Sequence, residues 1–585
     1  MPMMLDAWSV AALVLAALLL VMLAMKLRAR LALSRAKHRS LAGHARLSRR
    51  VAALVPRYAF DDARFFAADD APADVAGRRR AAFEDLSRLL RTRGVRTLDQ
   101  TAEAAAHLSD LQFTESYRVP FPFSPTVKAH LPAGSFLAAS TGVQVTDLDG
   151  NACYDLTGSY GVNLLGYDFY KACMERGARR VNALGPVLGA YPSLVADNVA
   201  RLARISGKQE ISFHMSGTEA VMQAVRLARY HTRRSQLVRF CGAYHGWWGD
   251  VQPGVGNPVP AHDTYTLAEM SDATLSVLKS RRDIACVLVN PLQALHPNIG
   301  APADTTLVHS RPDRSVDRAA YAAWLRALRA ICSARGIVLI FDEVFVGFRL
   351  APGGAQDYFG VAADIVTYGK TVGGGLPVGV VCGHHRFMKR FREDHPADIC
   401  FARGTFNSHP YVMAAMNEFL LHLDGPEMAA LYRDLDATWA GRAATLNRRL
   451  AERGLPLQVA HLSSIWTVCH TASSRYNWML QYYLKAHGLA LSWVGTGRLV
   501  FSLNFSDADF EAVAERFLAA ADSMRRDGWW EPGALGSDRA IKRRILREML
   551  GAAIAPWRPG RRRPDLVGGR PLEQIPNGAT QTTSP

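Results

Sequence analysis

Four stretches of this chain end on residues able to do chemistry. Gly336–Phe341 is an apolar run that closes on Asp342-Glu343. Such a run fits a strand covered on both faces, and ligands in open α/β sheets sit beyond the carboxyl ends of the strands. A carboxylate placed there could hold a cation, a metal or a protonated ring nitrogen. Twenty-two residues later Asp364-Ile365-Val366-Thr367-Tyr368-Gly369 delivers Lys370 at its exit, followed by Gly373-Gly374-Gly375-Leu376-Pro377-Val378-Gly379. That lysine could bind a phosphate, carry a carbonyl compound on its amine, or lie idle on the surface. The glycines lack the Walker spacing of a nucleoside-triphosphate loop. Ile211-Ser212-Phe213-His214 leads into Ser216-Gly217-Thr218-Glu219-Ala220 and a helical run. A small-residue turn at a helix start offers free N–H groups and suits a phosphate, or is a plain N-cap. Finally, Leu237–Phe240 runs into Gly242-Ala243-Tyr244-His245-Gly246, where Tyr244 is an aromatic plate at a strand exit or a core tyrosine.

Together these make a phosphate cradle, an aromatic plate, a carboxylate and a lysine, each at a strand end. Pyridoxal phosphate requires this set: the carboxylate keeps the pyridine nitrogen protonated, and the lysine carries the cofactor and moves the substrate proton. The ordered segments SGTEA, AYHG, FDEVFVGFR, YGKTVGGGLPVG and GTFNSHP resemble class III (fold type I) pyridoxal-phosphate aminotransferases, most closely the glutamate-1-semialdehyde 2,1-aminomutase branch, over residues 120–525. The resemblance implies that Lys370 holds the cofactor, Asp342 pairs with the ring nitrogen, and Val344 and Tyr244 cover its two faces. It implies that Ser216, Gly217 and Thr218 bind the phosphate, with Thr405 from the neighbouring subunit of a homodimer. It also implies that Gln293 lies near the ring hydroxyl, that Tyr160 lines the substrate pocket, and that Arg498 grips a substrate carboxylate. An arginine fork suits a carboxylate. The chain departs from the pattern at Asn290, where the family usually has Glu, and at Leu295. Residues 296–318 look like an insertion. These departures border the pocket and bring that segment closer to the aminotransferase domains of polyketide and peptide synthases.

The elements that must position these residues follow from patterning. Strands and helices alternate from the prolines at 120, 122 and 125 to about 530. This predicts an α/β fold of type I, with a mostly parallel central sheet flanked by helices and a smaller α+β domain from both chain ends. The boundaries expected are 120–185 for the first part of the small domain, 186–430 for the large cofactor-binding domain and 431–535 for the rest of the small domain. Residues 51–119 read as a helical stalk or linker, and 536–585 as a basic tail with one short helix and a disordered end.

The 585 residues carry a formal charge of +17. Residues 26–50 hold nine Lys/Arg and no acid, residues 536–585 hold ten Lys/Arg against four acids, and Asp6 precedes both blocks. The two ends therefore carry +9 and +6, leaving residues 51–535 at +3. A near-neutral body without a basic, aromatic-bearing helix argues against nucleic acid as a partner. Ala7–Met25 contains no charge and as a helix spans about 28 Å, close to the hydrocarbon thickness of a bilayer. With cations after the run and Asp6 before it, the pattern opposes a cleaved signal peptide. It predicts an anchor over residues 1–25 (helix 7–25), a basic juxtamembrane segment over 26–50, the N-terminus outside and the body on the cytoplasmic face of the inner membrane. Eight scattered cysteines without a CxxC pair argue against a zinc site or a disulfide framework.

The expected activity is transfer of an amino group from an amino-acid donor to an aldehyde or ketone acceptor, lipophilic or delivered by a membrane-bound partner. One alternative is glutamate-1-semialdehyde aminomutase, an isomerase needing no external donor. The other is an inactive membrane-anchored scaffold that retains the fold.

Overall fold

The computed structural model describes residues 7–38, 43–111, 119–252, 254–257, 259, 262–292, 317–401, 403–491, 497–531, 533 and 535–554. Fourteen strands occur among them. The first three are β1 (Leu137–Thr141), β2 (Gln144–Asp147) and β3 (Ala152–Asp155). Then come β4 (Glu210–His214), β5 (Gln236–Phe240), β6 (Thr264–Leu267), β7 (Ile284–Val289), β8 (Val338–Asp342), β9 (Ile365–Gly369) and β10 (Gly379–Gly383). The last are β11 (Leu457–Leu462), β12 (Ile465–His470), β13 (Leu489–Ala490) and β14 (Arg498–Val500).

Strands β4 to β10 form one seven-stranded sheet in the order β4-β10-β9-β8-β7-β5-β6. The ladders from β6 through β9 are parallel, and β10 runs antiparallel to both β9 and β4. Every residue of β7, β8, β9 and β10 is buried, as their unbroken apolar sequences require of strands covered on both faces. Strands β11, β12 and β14 form a smaller antiparallel sheet. In the third sheet β13 joins β3 in parallel, with Leu489 opposite Tyr154. Segments that precede and follow the large sheet in sequence are thus paired in one smaller sheet.

The N-terminal helices are α1 (Ala7–Ala36), α2 (Ala45–Leu54), α3 (Asp62–Phe66), α4 (Ala73–Arg93) and α5 (Val95–Ala105). The expected helix 7–25 is the first part of α1, which continues through Lys26, Arg28, Arg30 and Arg35. The continuation has a cause: Ala, Leu and Arg favour helix, and the last turn is docked. Ala36 is fully buried, Ala32 and Leu33 pack on the core, and the Ala36 carbonyl accepts from Ala268 N–H at 2.8 Å. Leu13, Leu15, Leu18, Leu20 and Leu23 are all more than half exposed, and the helix is long and apolar enough to cross a membrane.

Residues 51–119 contain the end of α2 and the helices α3, α4 and α5, but α3 and α4 are folded down onto the body where a stalk was expected. Arg79 of α4 is fully buried and binds Asp69 through two hydrogen bonds, at 2.8 and 2.9 Å. Phe65 makes edge-to-face contacts with Phe83 and Phe123, and the Tyr476 hydroxyl donates to Phe65 O at 2.7 Å. Three further helices of the body are α6 (Gly217–Thr232), α7 (Asp272–Ser280), against which α1 packs, and α8 (Gly354–Phe359). The last helix, α9 (Asp538–Ile554), docks on α3 through Arg64–Glu548 at 2.9 Å. The tail from residue 555 and most of the 296–318 segment lie outside the described residues.

Candidate active site

The four chemical segments converge at the carboxyl ends of β4, β5, β8 and β9. One side chain shows how tightly. A Cβ placed on Gly217 would lie 2.6 Å from Val344 Cγ1, and one on Gly369 would lie 3.1 Å from the same atom. Val344 is therefore wedged between the turn that starts α6 and the exit of β9, and both glycines are needed for that approach. Gly246, at φ +94°, packs in the same way against the Thr218 side chain. The phosphate-type turn, the β5 exit and the β8 exit thus share one wall. Within the turn, the Ser216 hydroxyl accepts from Glu219 N–H at 3.2 Å and caps α6. The N–H groups of Gly217 and Thr218 belong to the first turn, where a helix has no internal acceptors.

Asp342 is buried, with 4% of its surface exposed. Its Oδ2 accepts from His245 Nδ1 at 2.7 Å, and its Oδ1 accepts from Val344 N–H at 3.1 Å and Thr367 Oγ1 at 3.3 Å. A carboxylate only accepts, so the proton of His245 sits on Nδ1. Burial pushes His245 below the usual imidazole range and Asp342 opposes this, while its buried Nε2 has no partner among the described residues. Tyr244 is largely exposed, and its phenol is raised first by burial and then by the Asp342 charge. The adjacent Glu343 has a different task. It accepts from Ala355 N–H at 2.6 Å and Gln356 N–H at 3.2 Å at the start of α8, and burial pushes it up to about 8.

Lys370 follows β9 with φ +52°, a left-handed conformation unusual for a side-chain-bearing residue. Its amine is pushed down to about 8, first by burial, with Asp342 raising it and Arg349 and Arg498 lowering it. All three cations cluster at the Phe345 ring: Lys370 Nζ lies 4.9 Å from its centroid, and the guanidinium carbons of Arg498 and Arg349 lie 5.8 and 6.0 Å away. Among the described residues Arg349 donates to neutral groups: Ser464 Oγ at 3.1 Å, Phe501 O at 2.6 Å and Asn163 O at 3.2 Å. These bonds tie the β8 exit to the smaller sheets. Burial lowers the guanidinium of Arg498, like that of Arg349, to about 10.

Tyr160 sits in a left-handed turn: Gly158, Ser159, Tyr160 and Gly161 have φ of +52°, +44°, +57° and +97°. A Cβ on Gly161 would lie 2.7 Å from the Phe345 ring and 3.4 Å from Lys370 Cδ, so this turn borders the lysine directly. Asp155 holds the turn, accepting from Thr157 N–H at 2.8 Å and the Tyr167 hydroxyl at 2.8 Å, and Tyr167 reaches Ser159 Oγ at 2.9 Å.

The structure thus assembles Lys370, Asp342, Val344, Tyr244, Ser216, Gly217 and Thr218, with Tyr160 and Arg498 alongside. Thr405 is exposed on the turn before the helix Pro410–Leu423. Gln293 and Leu295 lie outside the described residues, and Asn290 at the β7 exit has a buried Oδ1 without a partner among them. Sequence reasoning missed His245, Arg349 and the Asp155–Tyr167 pair. His245 and Arg349 stood inside the quoted segments AYHG and FDEVFVGFR. That position was their only signal.

This donor set fits pyridoxal phosphate. It offers a buried carboxylate for a protonated ring nitrogen, an amine held near neutrality, a helix start for a phosphate and an aromatic ring beside the carboxylate. Large sheet, small domain and site together define a fold type I transferase. The family model "Aminotransferase class-III" matches residues 127–520, and the chain belongs to that family. Its cofactor is pyridoxal phosphate.

The chain is 35% identical over 300 residues to glutamate-1-semialdehyde 2,1-aminomutase of Alkaliphilus oremlandii, a match covering 48% of this chain and 64% of that enzyme. It is 30% identical over 392 residues to the enzyme of that name from Citrifermentans bemidjiense, covering 62% of this chain and 83% of the relative. A glutamate-1-semialdehyde-aminomutase from Pseudomonas aeruginosa, crystallised in complex with PMP, shares the fold with a TM-score of 0.61 at 20% identity, over 76% of this chain and 98% of that one.

Proposed function

We propose that this protein is an aminotransferase that takes an amino group from a carboxylate-bearing donor and passes it to an aldehyde or ketone acceptor. The observation that carries this reading is the position of the Lys370 amine, flanked by Asp342 and by Arg498 over the Phe345 ring. When bound, pyridoxal phosphate supplies a carbonyl that takes the amine and a ring that accepts the electron pair released at the substrate carbon. The chain supplies the rest. Asp342, oriented by His245 and Thr367, holds a proton on the ring nitrogen. Val344 and Tyr244 would cover the two ring faces. The first N–H groups of α6 bind the phosphate dianion. Lys370, whose amine burial lowers to about 8, would be the group that removes and carries the proton of the donor's α-carbon through Nζ. Arg498 receives the donor carboxylate in a two-pronged contact.

Thr405 is read as completing the phosphate site of a second copy, which its exposure permits, so the working unit is a homodimer. The unburied leucines of α1 support a membrane anchor, and the cations that follow it support a body on the cytoplasmic face. An anchored enzyme suits a lipophilic or membrane-delivered acceptor.

A half-reaction screen tests the chemistry. The holoenzyme is mixed with single amino acids and loss of the cofactor's visible absorbance is followed, then candidate aldehydes are added to reverse it. Donors that convert the cofactor, with Arg498→Ala raising their KM at least tenfold, support the reading. The names of the relatives favour a second reading, the aminomutase. Turnover of glutamate-1-semialdehyde alone, with no response to any external donor, would establish it in place of the first.

A further inference from the structure

The last helix carries a second surface that the reaction does not use. The inward face of α9 is fully engaged. Ile541 is fully buried, Arg544 pairs with Asp70 at 2.8 Å, and Glu548 binds Arg475 at 2.7 and 2.9 Å. The other acid of the helix, Asp538, accepts from the Ser473 hydroxyl at 2.6 Å. The outward face exposes Arg539, Lys542, Arg543 and Arg547 together with Leu546, Leu550 and Ile554, each of the three apolar residues more than half exposed. Residues four apart on a helix lie on one side, so these leucine-type residues form a stripe and Arg539, Arg543 and Arg547 fall in the same sector.

A second helix of similar composition is joined to α3 by a short linker. Helix α2 buries no residue, contains no acid, and exposes Arg46 and Arg50 beside Leu47 and Leu54. Its end at Leu54 is eight residues from Asp62, which begins α3, so at most about 29 Å of chain separates them. Helix α3 is the one whose Arg64 reaches Glu548 of α9.

We infer that the outward faces of α9 and α2 rest on an anionic lipid surface, the leucines entering the boundary between headgroups and acyl chains and the cations meeting lipid phosphates. Charge decides the occupant. A second copy docked by a two-fold axis through α9 would set the same cations against each other, with no exposed acid on α9 or α2 to meet them. Aliphatic side chains in the cationic sector have no role on a nucleic-acid backbone, whereas basic and apolar residues together are what a bilayer interface selects. The inference rests on the proposed anchoring by α1 for which surface is meant, and it is independent of the reaction.

The test uses the full chain reconstituted in vesicles of phosphatidylcholine alone or with phosphatidylglycerol, both containing nitroxide-labelled lipid. One variant, Leu550→Cys, carries an environment-sensitive fluorophore; another, Leu15→Cys, carries it in α1. The native cysteines are buried except the half-buried Cys153, and the unsubstituted chain gives the background. The expected result is that the label at 550 loses at least half its emission to the nitroxide in anionic vesicles and little in neutral ones. Replacing Arg539, Lys542, Arg543 and Arg547 by Gln should remove that difference. Quenching at 15 with a water-like, unquenched signal at 550 overturns the inference while the anchor stands. Quenching at 550 but not at 15 supports the lipid contact and sinks the anchor. A blue-shifted but unquenched signal at 550 means that protein covers the helix, and this also overturns it.

Discussion

Arg79 in the helical layer and Asp342 at the end of β8 are both buried charges with carboxylate or imidazole partners, yet their surroundings differ in kind. Every nitrogen of Arg79 is committed: Nε to Gly528 O at 2.8 Å, Nη1 to Phe66 O at 2.9 Å and Asp69 Oδ1 at 2.8 Å, Nη2 to Asp69 Oδ2 at 2.9 Å. The group also lies 4.5 Å from the centroid of the Tyr476 ring. Around Asp342 the accounts are open. His245 keeps a buried Nε2 without a partner among the described residues, Lys370 is held near neutrality, and Glu343 is pushed toward its neutral form. Closed networks hold structure; charge environments left incomplete are where a cofactor and a substrate fit.

The comparison can be broken most severely at the lysine. Lys370→Ala should lower transamination about 1,000-fold or more, because it removes both the cofactor attachment and the proton carrier, while the thermal midpoint of the apoprotein is not lowered. Activity and differential scanning fluorimetry on the same preparation check this. Arg79→Met should do the opposite. It leaves Asp69 buried without its partner and costs about 3–5 kcal/mol in denaturant unfolding, with kcat of the folded fraction unchanged. Adding Asp69→Leu should restore part of the loss, since removing both charges costs less than stranding one.

The pH responses sharpen the contrast. Cofactor attachment needs the neutral amine, so the rate at which apoenzyme takes up pyridoxal phosphate should rise with pH and level off above about 8, the value to which burial lowers Lys370. Stopped-flow absorbance measures it; a rate still climbing toward 10.5 would mean the amine is not desolvated. The smallest effect is expected at Glu343. Its folded value of about 8 lies above the ordinary 4.5, so the folded state binds the extra proton between them. The stability it contributes is full below 4.5 and is lost as pH rises through about 8. Glu343→Gln should flatten that decline in urea melts taken across the interval.

What the sequence disclosed follows from how local each signal was. Lys370, Asp342 and the Ser216–Thr218 turn were legible because each closes a short apolar run, and the end of a buried parallel strand is a binding position in any such sheet. The body's α/β alternation was legible for the same reason. The contact of His245 with Asp342 was not, because it depends on β5 and β8 lying in one sheet 97 residues apart. The left-handed turn at Tyr160 was hidden too: flanking glycines signal a turn but not its hand at the tyrosine. The docking of α3 and α4 was misread as a stalk because Arg79 looks in sequence like any surface arginine. Only its pairing with Asp69, and Tyr476 and Trp529 packed on it from the far end of the sequence, bury it. The resemblance placed Thr405 in a neighbour's site, and a single chain leaves it at the surface.

The clustering of Arg349 and Arg498 around Phe345 has a kinetic consequence. Two fixed guanidinium groups at a low-dielectric floor, one of them held by neutral carbonyl and hydroxyl oxygens, give the mouth of the site a standing positive potential. The phosphate of the cofactor and any carboxylate ligand approach down that gradient, and a cationic amine approaches against it. Encounter rates for anionic ligands should therefore fall with ionic strength while those for neutral ligands stay level.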